Sequence, residues 1–178
     1  MENFKSGFVS IIGRTNVGKS TLINSLVGEK VAITANKSQT TRTLIRAIVN
    51  KPNLQIIFVD TPGIHKPKTK LGETMINSSF GTIQDVDIML FMVEATSSEI
   101  GKGDRIILDK IKEAKKGTIL VLNKIDLIQK ESLLQLIETY SNEYEFKAII
   151  PISATKSENT EKILEEIEKN MPERAGIL

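Results

Sequence analysis

The stretch "FVSIIGRTNVGKSTLINSLVG", residues 8–28, decides the fold. An apolar run (8–12) gives way at Gly13 to a loop with a glycine at each end, a lysine and two hydroxyls. Apolar residues at helical spacing follow: Leu22, Ile23 and Leu26 repeat at i, i+1 and i+4, and Gly28 stands where a C-cap belongs. Strand, glycine loop and helix thus come in immediate succession. The loop matches G-x-x-x-x-G-K-[ST] through Gly13, Gly18, Lys19 and Ser20. Glycines let such a backbone curl so that successive N–H groups face inward, onto phosphate oxygens. The N-terminus of the next helix adds the positive end of its dipole. Lys19 can reach β- and γ-phosphates, and the Ser20 hydroxyl can ligate Mg²⁺. The flanking strand and helix favour this phosphate loop over an ordinary glycine-rich turn.

Working outward, four more apolar runs read as strands: "QIIFV" (55–59), "IMLFMV" (88–93), "TILVL" (118–122) and "KAIIPI" (147–152). Near-continuous apolar strands are those of a parallel sheet covered on both faces. Helical spacing recurs between them at Ile107, Leu108 and Ile111, at Leu133, Leu134 and Ile137, and at Ile163, Leu164 and Ile167; residues 70–83 are a less regular helix candidate. "TLIRAIV" (43–49) breaks the rhythm, because it runs through "NKPN" (50–53) into the next strand. So short a connection joins only antiparallel neighbours, since a parallel crossover needs a dozen or more residues. The expected fold is one α/β domain over residues 1–172, with a tail at 173–178 that is disordered or the start of a linker. Its six-stranded sheet is mixed, mostly parallel with one antiparallel strand at an edge, and helices lie on both faces.

Composition sets limits on function. The 178 residues suit one domain with a sizeable core; 40% are hydrophobic and 26% charged. Aromatics make up only 4%, so the core is mainly Ile, Leu and Val. The absence of Cys excludes disulfides, thiol catalysis and Cys-ligated metals. There is no apolar run of transmembrane length and no signal-like N-terminus, so a cytosolic or at most membrane-peripheral protein is expected. A net charge of +2 is too small to argue for nucleic acid by itself.

In open α/β sheets, ligands bind beyond the carboxyl ends of the strands. Here those ends are followed by Gly13, by Asp60-Thr61-Pro62-Gly63, by Asn123-Lys124-Ile125-Asp126, and by Ser153-Ala154. Polar and glycine residues therefore gather along one edge. Mg²⁺ takes hard oxygen ligands, and Asp60 can reach it directly or through a water. The Gly63 N–H would lie near a γ-phosphate. "NKID" names the base: a carboxylate at Asp126 accepts from guanine N1–H and the N2 amine, whereas adenine offers a lone pair at N1. A buried site built for those bonds rejects adenine. Asn123 can brace the loop and touch the base, and the Lys124 stem lies along it. Thr40 or Thr41 can supply a further oxygen to Mg²⁺.

Together, "GRTNVGKSTLINSLVGEKVAIT" (13–34), "KSQTTR" (37–42), "FVDTPGIHKPK" (58–68), "LNKIDL" (122–127) and "PISA" (151–154) resemble the Era family of translation-factor-related GTPases. The resemblance covers essentially the whole chain. It implies a P-loop GTPase (G) domain that binds GTP and GDP with Mg²⁺ and works in assembly of the small ribosomal subunit with 16S rRNA. Nucleotide contacts would come from Gly13, Arg14, Thr15, Asn16, Val17, Gly18, Lys19, Ser20 and Thr21, then Asp60, Gly63, Asn123, Lys124, Asp126, Ser153 and Ala154. Metal ligands would be Ser20, Thr41 and Asp60, with Thr41 in switch I. The Ala154 N–H would meet guanine O6, with Ser153 shaping that loop. Lys19, Thr41, Gly63 and Asn16 are the residues expected to act in hydrolysis. Monomeric behaviour, a cytoplasmic location and peripheral contact with the inner face of the membrane go with the same resemblance. The chain departs from the family at Thr15, where members usually carry Pro, and in showing no KH-type RNA-binding sequence after "MPERAGIL". It reads as a GTPase domain alone.

Small GTPases orient the attacking water with a glutamine just after the D-x-x-G glycine, and this chain has Ile64 there. An aliphatic side chain cannot orient water. Four substitutes stay open: waters fixed by backbone beside Mg²⁺, Arg42, a monovalent cation such as K⁺ held by Asn16 as the resemblance implies, and His65. "KPKTK" (66–70) is a basic cluster that reads as a solvated loop, with RNA contact the functional alternative. A slow GTP hydrolase used as a timer and a nucleotide-gated binding module both need the same pocket.

Overall fold

The computed structural model describes residues 3–27, 44–60 and 86–176. Among these, six strands form one sheet: β1 (Lys5–Ile12), β2 (Leu44–Lys51), β3 (Leu54–Asp60), β4 (Ile88–Glu94), β5 (Thr118–Asn123) and β6 (Ala148–Pro151). Their order is β2-β3-β1-β4-β5-β6. All neighbours are parallel except β2 and β3, which Pro52 and Asn53 join as an antiparallel hairpin at the sheet edge. Mixed sheet and antiparallel edge strand both stand as the four-residue "NKPN" required.

Four α-helices lie among the described residues: α1 (Lys19–Val27), α2 (Lys102–Ala114), α3 (Lys130–Ser141) and α4 (Glu161–Asn170). Strand residues alternate between two apolar layers. Val9, Ile11, Ile56, Phe58, Leu90, Met92, Ile119 and Val121 face α1 and α4, meeting Leu22, Ile23, Leu26, Ile163 and Ile167. Ile12, Ile57, Val59, Met89, Phe91, Leu120 and Leu122 face α2 and α3, meeting Ile107, Leu108, Ile111, Leu136 and Tyr140. Helices thus cover both faces. At nine residues α1 is too short to persist alone, so its three buried side chains hold it in place.

Two expectations shift. On α3 the buried face is Leu136 and Tyr140, with Leu133 and Ile137 packed at its side, while Leu134 points outward and is 54% exposed. The expected set, Leu133, Leu134 and Ile137, includes one residue off the stripe; the i, i+3, i+4, i+7 set is Leu133, Leu136, Ile137 and Tyr140. The stretch expected to be a loose tail is instead tied to β1. Arg174 N–H donates to Phe4 O at 3.0 Å, the Ser6 hydroxyl donates to Ala175 O at 2.6 Å, and the Arg174 guanidinium pairs with Asp87. Gly28 and the helix candidate at 70–83 lie outside the described residues. No described helix is long and apolar enough to cross a membrane.

Candidate functional site

β1 delivers the glycine loop to the carboxyl end of the sheet, between β3 and β4. A Cβ at Gly13 would come within 2.5 Å of the Met92 carbonyl oxygen, so only glycine lets the loop leave β1 this close to β4. Gly18 has φ +108°, and a Cβ there would lie 2.4 Å from the Asn123 amide nitrogen. Asn16 also takes a left-handed conformation, φ 69°. Val17 is wholly buried and anchors the loop to the core. The resulting cavity, about 480 Å³, is lined by Thr15, Asn16, Gly18, Lys19, Ser20 and Thr21. The N–H groups of Lys19, Ser20 and Thr21 precede the first intrahelical bond of α1, Leu22 N–H to Gly18 O at 2.9 Å. No acidic residue in that first turn offsets the positive helix end. The Lys19 ammonium donates to Gly13 O at 2.7 Å, arched over the loop. A cup lined by backbone N–H groups and an ammonium suits a multiply charged anion.

Asn123, at the end of β5, is 3% exposed and joins two loops. Its Nδ2 donates to Val17 O at 2.8 Å, and its Oδ1 accepts from Ala154 N–H at 2.9 Å. Both ends of the amide are thus engaged by protein. The Ala154 N–H, which the resemblance gives to guanine O6, is held by Asn123 here. Ser153 is buried, and its backbone exchanges two bonds with Glu158 at 3.1 and 2.9 Å, closing the turn over 154–157.

Lys124 is left-handed, φ 73°, and starts a 3₁₀ turn over Ile125–Leu127 that carries Asp126. Ile125 N–H donates to Ile152 O at 3.1 Å, which fixes this turn against the chain leaving β6. Asp126 is exposed, not buried as the selectivity argument supposed. A 3₁₀ turn beyond a strand end projects into solvent, so a bound base would itself have to dry this carboxylate. The Lys124 ammonium sits 3.2 Å from Glu94 and 3.5 Å from Asn16 O, leaning across the phosphate loop.

Of the expected metal ligands, Ser20 stands exposed beside the cavity, and its hydroxyl accepts from Arg46 Nη2 at 2.7 Å. Asp60 ends β3, and its backbone lies opposite Ile11, two residues before Gly13. No cluster of three or more His, Cys, Asp or Glu occurs among the described residues. The Ser20 hydroxyl on the cavity wall is a hard oxygen donor, the kind Mg²⁺ takes from protein in small number. Thr41, Gly63, Thr40, Arg42, Ile64, His65 and "KPKTK" lie outside the described residues.

Sequence reasoning missed three charged neighbours. Arg14, in the phosphate loop, donates from Nε to Asp104 at 2.9 Å. Asp104 is 2% exposed in the first turn of α2, and burial pushes its carboxyl above the ordinary value although Arg14 pulls it down. Gly103 makes room, since a Cβ there would lie 2.5 Å from Arg14 Cδ. Glu94 pins Lys124, and Arg46 reaches Ser20 from the edge strand. None of the three follows a motif; a polar residue directly after the apolar run 88–93 was the one available signal, at Glu94.

Comparison with known proteins agrees with this geometry. Residues 8–124 match the family described as 50S ribosome-binding GTPase. The GTPase Era of Ruminiclostridium cellulolyticum is 52% identical over 171 residues, covering 96% of this chain and 57% of that protein. The crystal structure of an Era variant from Aquifex aeolicus bound to GDP·AlF4⁻ has a TM-score of 0.79 at 39% identity. Era in complex with MgGDPNP and nucleotides 1506–1542 of 16S ribosomal RNA has a TM-score of 0.81 at 40% identity. Each covers 98% of this chain, which spans 60% of theirs. The chain spans a little over half the length of the curated relatives it matches. With its glycine loop inside the matched residues and half of its positions identical to a GTPase Era, the chain belongs to the 50S ribosome-binding GTPase family and has Era GTPases as its homologues.

Proposed function

We propose that this chain is a GTP-binding switch that hydrolyses GTP slowly. The observation that carries the reading is the Asn123 amide, which binds the phosphate loop at Val17 and the 153–154 loop at Ala154. One side chain thereby sets the spacing between a phosphate cup and the turns that would read a guanine base. Asp126 supplies the guanine-selective carboxylate, becoming shielded when the base stacks beside it. For Ala154 N–H to meet guanine O6 it must share its hydrogen between O6 and Asn123 Oδ1, or the loop must shift on binding.

Ser20 and Asp60 would hold Mg²⁺, with Thr41 joining them in the GTP state. Held there, the ion would supply Lewis-acid neutralisation of phosphate charge. Lys19 exchanges the Gly13 carbonyl for a phosphate, and Arg14, tied to Asp104, keeps the loop backbone in place. Asn16, left-handed at the lip of the cavity, is the residue to hold a K⁺ ion beside the phosphates. A cation held by Asn16 would supply positive charge of the kind an arginine finger supplies elsewhere, where it is worth about 10³–10⁵ in rate. The two Era structures, one with GDP·AlF4⁻ and one with MgGDPNP and 16S rRNA, support the ligand and point to the small ribosomal subunit as partner.

Single-turnover hydrolysis in K⁺ and in Na⁺, with the parent protein and with Asn16→Ala, tests the reading. K⁺ should give the faster rate, and Asn16→Ala should remove that difference while GDP affinity stays almost unchanged. Equal rates in both ions would eliminate the cation. Equal affinity for ATP and GTP would overturn the nucleotide assignment itself. A nucleotide-gated binding module is the second reading; it rests on Ile64, which cannot orient water, and predicts no catalytic response to either ion.

A further inference from the structure

β2 carries a bulge. Ile45 pairs with Val59 and Ala47 with Phe58, adjacent residues of β3, so Arg46 is the extra residue. The bulge also reverses the facing: Ile45 packs on the α2–α3 side and Ala47 on the α1–α4 side, although two residues apart in a regular strand share a face. At this break the Arg46 side chain reaches the start of α1 and places Nη2 2.7 Å from Ser20 Oγ.

A guanidinium only donates, so Ser20 Oγ is the acceptor and spends a lone pair on a cation. Mg²⁺ would require a lone pair from the same oxygen. A monovalent and a divalent cation on one hydroxyl oxygen repel at short range, so one displaces the other. We propose that Arg46 is an internal cation that holds the Ser20 hydroxyl in the metal-free protein and competes with Mg²⁺ for it. The Mg²⁺ concentration at which nucleotide becomes locked in is thereby raised. Arg46 is half-exposed on an edge strand with a long side chain, so its displacement disturbs no packed core. With Mg²⁺ absent, its charge beside the cup also favours a bound diphosphate. This inference rests on Ser20 being the metal ligand of a nucleotide site, as proposed above.

The test is the dissociation rate of a fluorescent GDP analogue over a Mg²⁺ titration, with equilibrium GDP binding in EDTA alongside. Arg46→Ala and Arg46→Gln should lower the Mg²⁺ midpoint by about five- to tenfold, the scale of one exposed charge-assisted hydrogen bond. Both should also weaken metal-free GDP binding by a similar factor, whereas Arg46→Lys, which keeps the charge, should weaken it less. Ser20→Ala separates the two layers of reasoning. If Ser20→Ala loses Mg²⁺ dependence while the Arg46 variants keep the parent midpoint, the competition is refuted and the site stands. If Ser20→Ala keeps the parent midpoint, the metal assignment beneath it falls as well. A midpoint that rises in Arg46→Ala would show that Arg46 assists Mg²⁺, and would also overturn the proposal.

Discussion

Replacing Asn123 by Ala should unfold the site before it touches any base. The side chain is 3% exposed, and its loss strands Val17 O and Ala154 N–H, which belong to residues 0% and 3% exposed. Each buried polar group left unsatisfied costs about 1–3 kcal/mol, so the pair predicts a loss of about 2–4 kcal/mol once some water enters. In a chain of this size that lowers the melting temperature by about 5–15 °C. The measurement is urea and thermal unfolding of nucleotide-free protein in EDTA, where no base contact contributes. Asn123→Asp is the control. It keeps the acceptor for Ala154 N–H but sets a carboxylate oxygen against the Val17 carbonyl. Burial and that carbonyl raise the new carboxyl's pKa, so the variant is penalised above that pKa. Stability should return as pH falls through it, when the protonated acid can donate to Val17 O. Should Asn123→Ala lose less than about 0.5 kcal/mol without nucleotide yet bind GDP poorly, the amide acts on the base alone and the frame argument is wrong.

Lys19→Ala should abolish tight GDP binding in calorimetry while leaving the fold intact, because it removes a full charge from a cup facing several negative ones. Asp126→Asn should weaken GTP and favour xanthosine triphosphate, whose O2 accepts from the new amide; competition binding reads the exchange. Leu136→Ala should cost about 2–5 kcal/mol as a cavity in the core, whereas Leu134→Ala stays within about 0.5, and denaturant midpoints separate the two. Glu143 accepts from Arg105 at 2.7 and 2.9 Å and from Lys112 at 2.6 Å, which holds its carboxyl down to about 2. Its contribution is full above the unfolded value and fades as pH falls toward 2, so Glu143→Gln should flatten the acid limb of stability.

The sheet and the phosphate loop were legible because their signals are local. Five apolar runs marked parallel strands, "NKPN" was too short for a crossover, and G-x-x-x-x-G-K-S fixed the β1–α1 junction. Asn123 was legible as a brace but not as a double one, since its partner Val17 lies 106 residues away and offers only backbone. Asp126 was expected buried because a motif gives residue types and order, not the curvature of the 3₁₀ turn that carries it outward. On α3, the adjacent pair Leu133-Leu134 outweighed the wider period, and Leu136 and Tyr140 were passed over although the tyrosine ring stands edge-on to Phe91 at 6.4 Å. Arg46 and Asp104 were invisible for a stricter reason. Their roles follow from a bulge and from the docking of α2, which no short spacing encodes.

Among the described residues, the hairpin of β2 and β3 leaves β2 as an outermost strand of the sheet. A flat outermost strand with free backbone groups invites another chain to add itself, and repeated addition leads to fibrils. The bulge at Arg46 interrupts that template near its start, and Arg46 and Lys51 place cations along the strand. One irregularity thus discourages self-association of the sheet while aiming a guanidinium at Ser20. Straightening β2 by deleting Arg46 should therefore do more than alter metal dependence: Ile45 and Ala47 become neighbours that keep their opposite faces, the strand runs uninterrupted, and the protein's lifetime in concentrated solution should shorten.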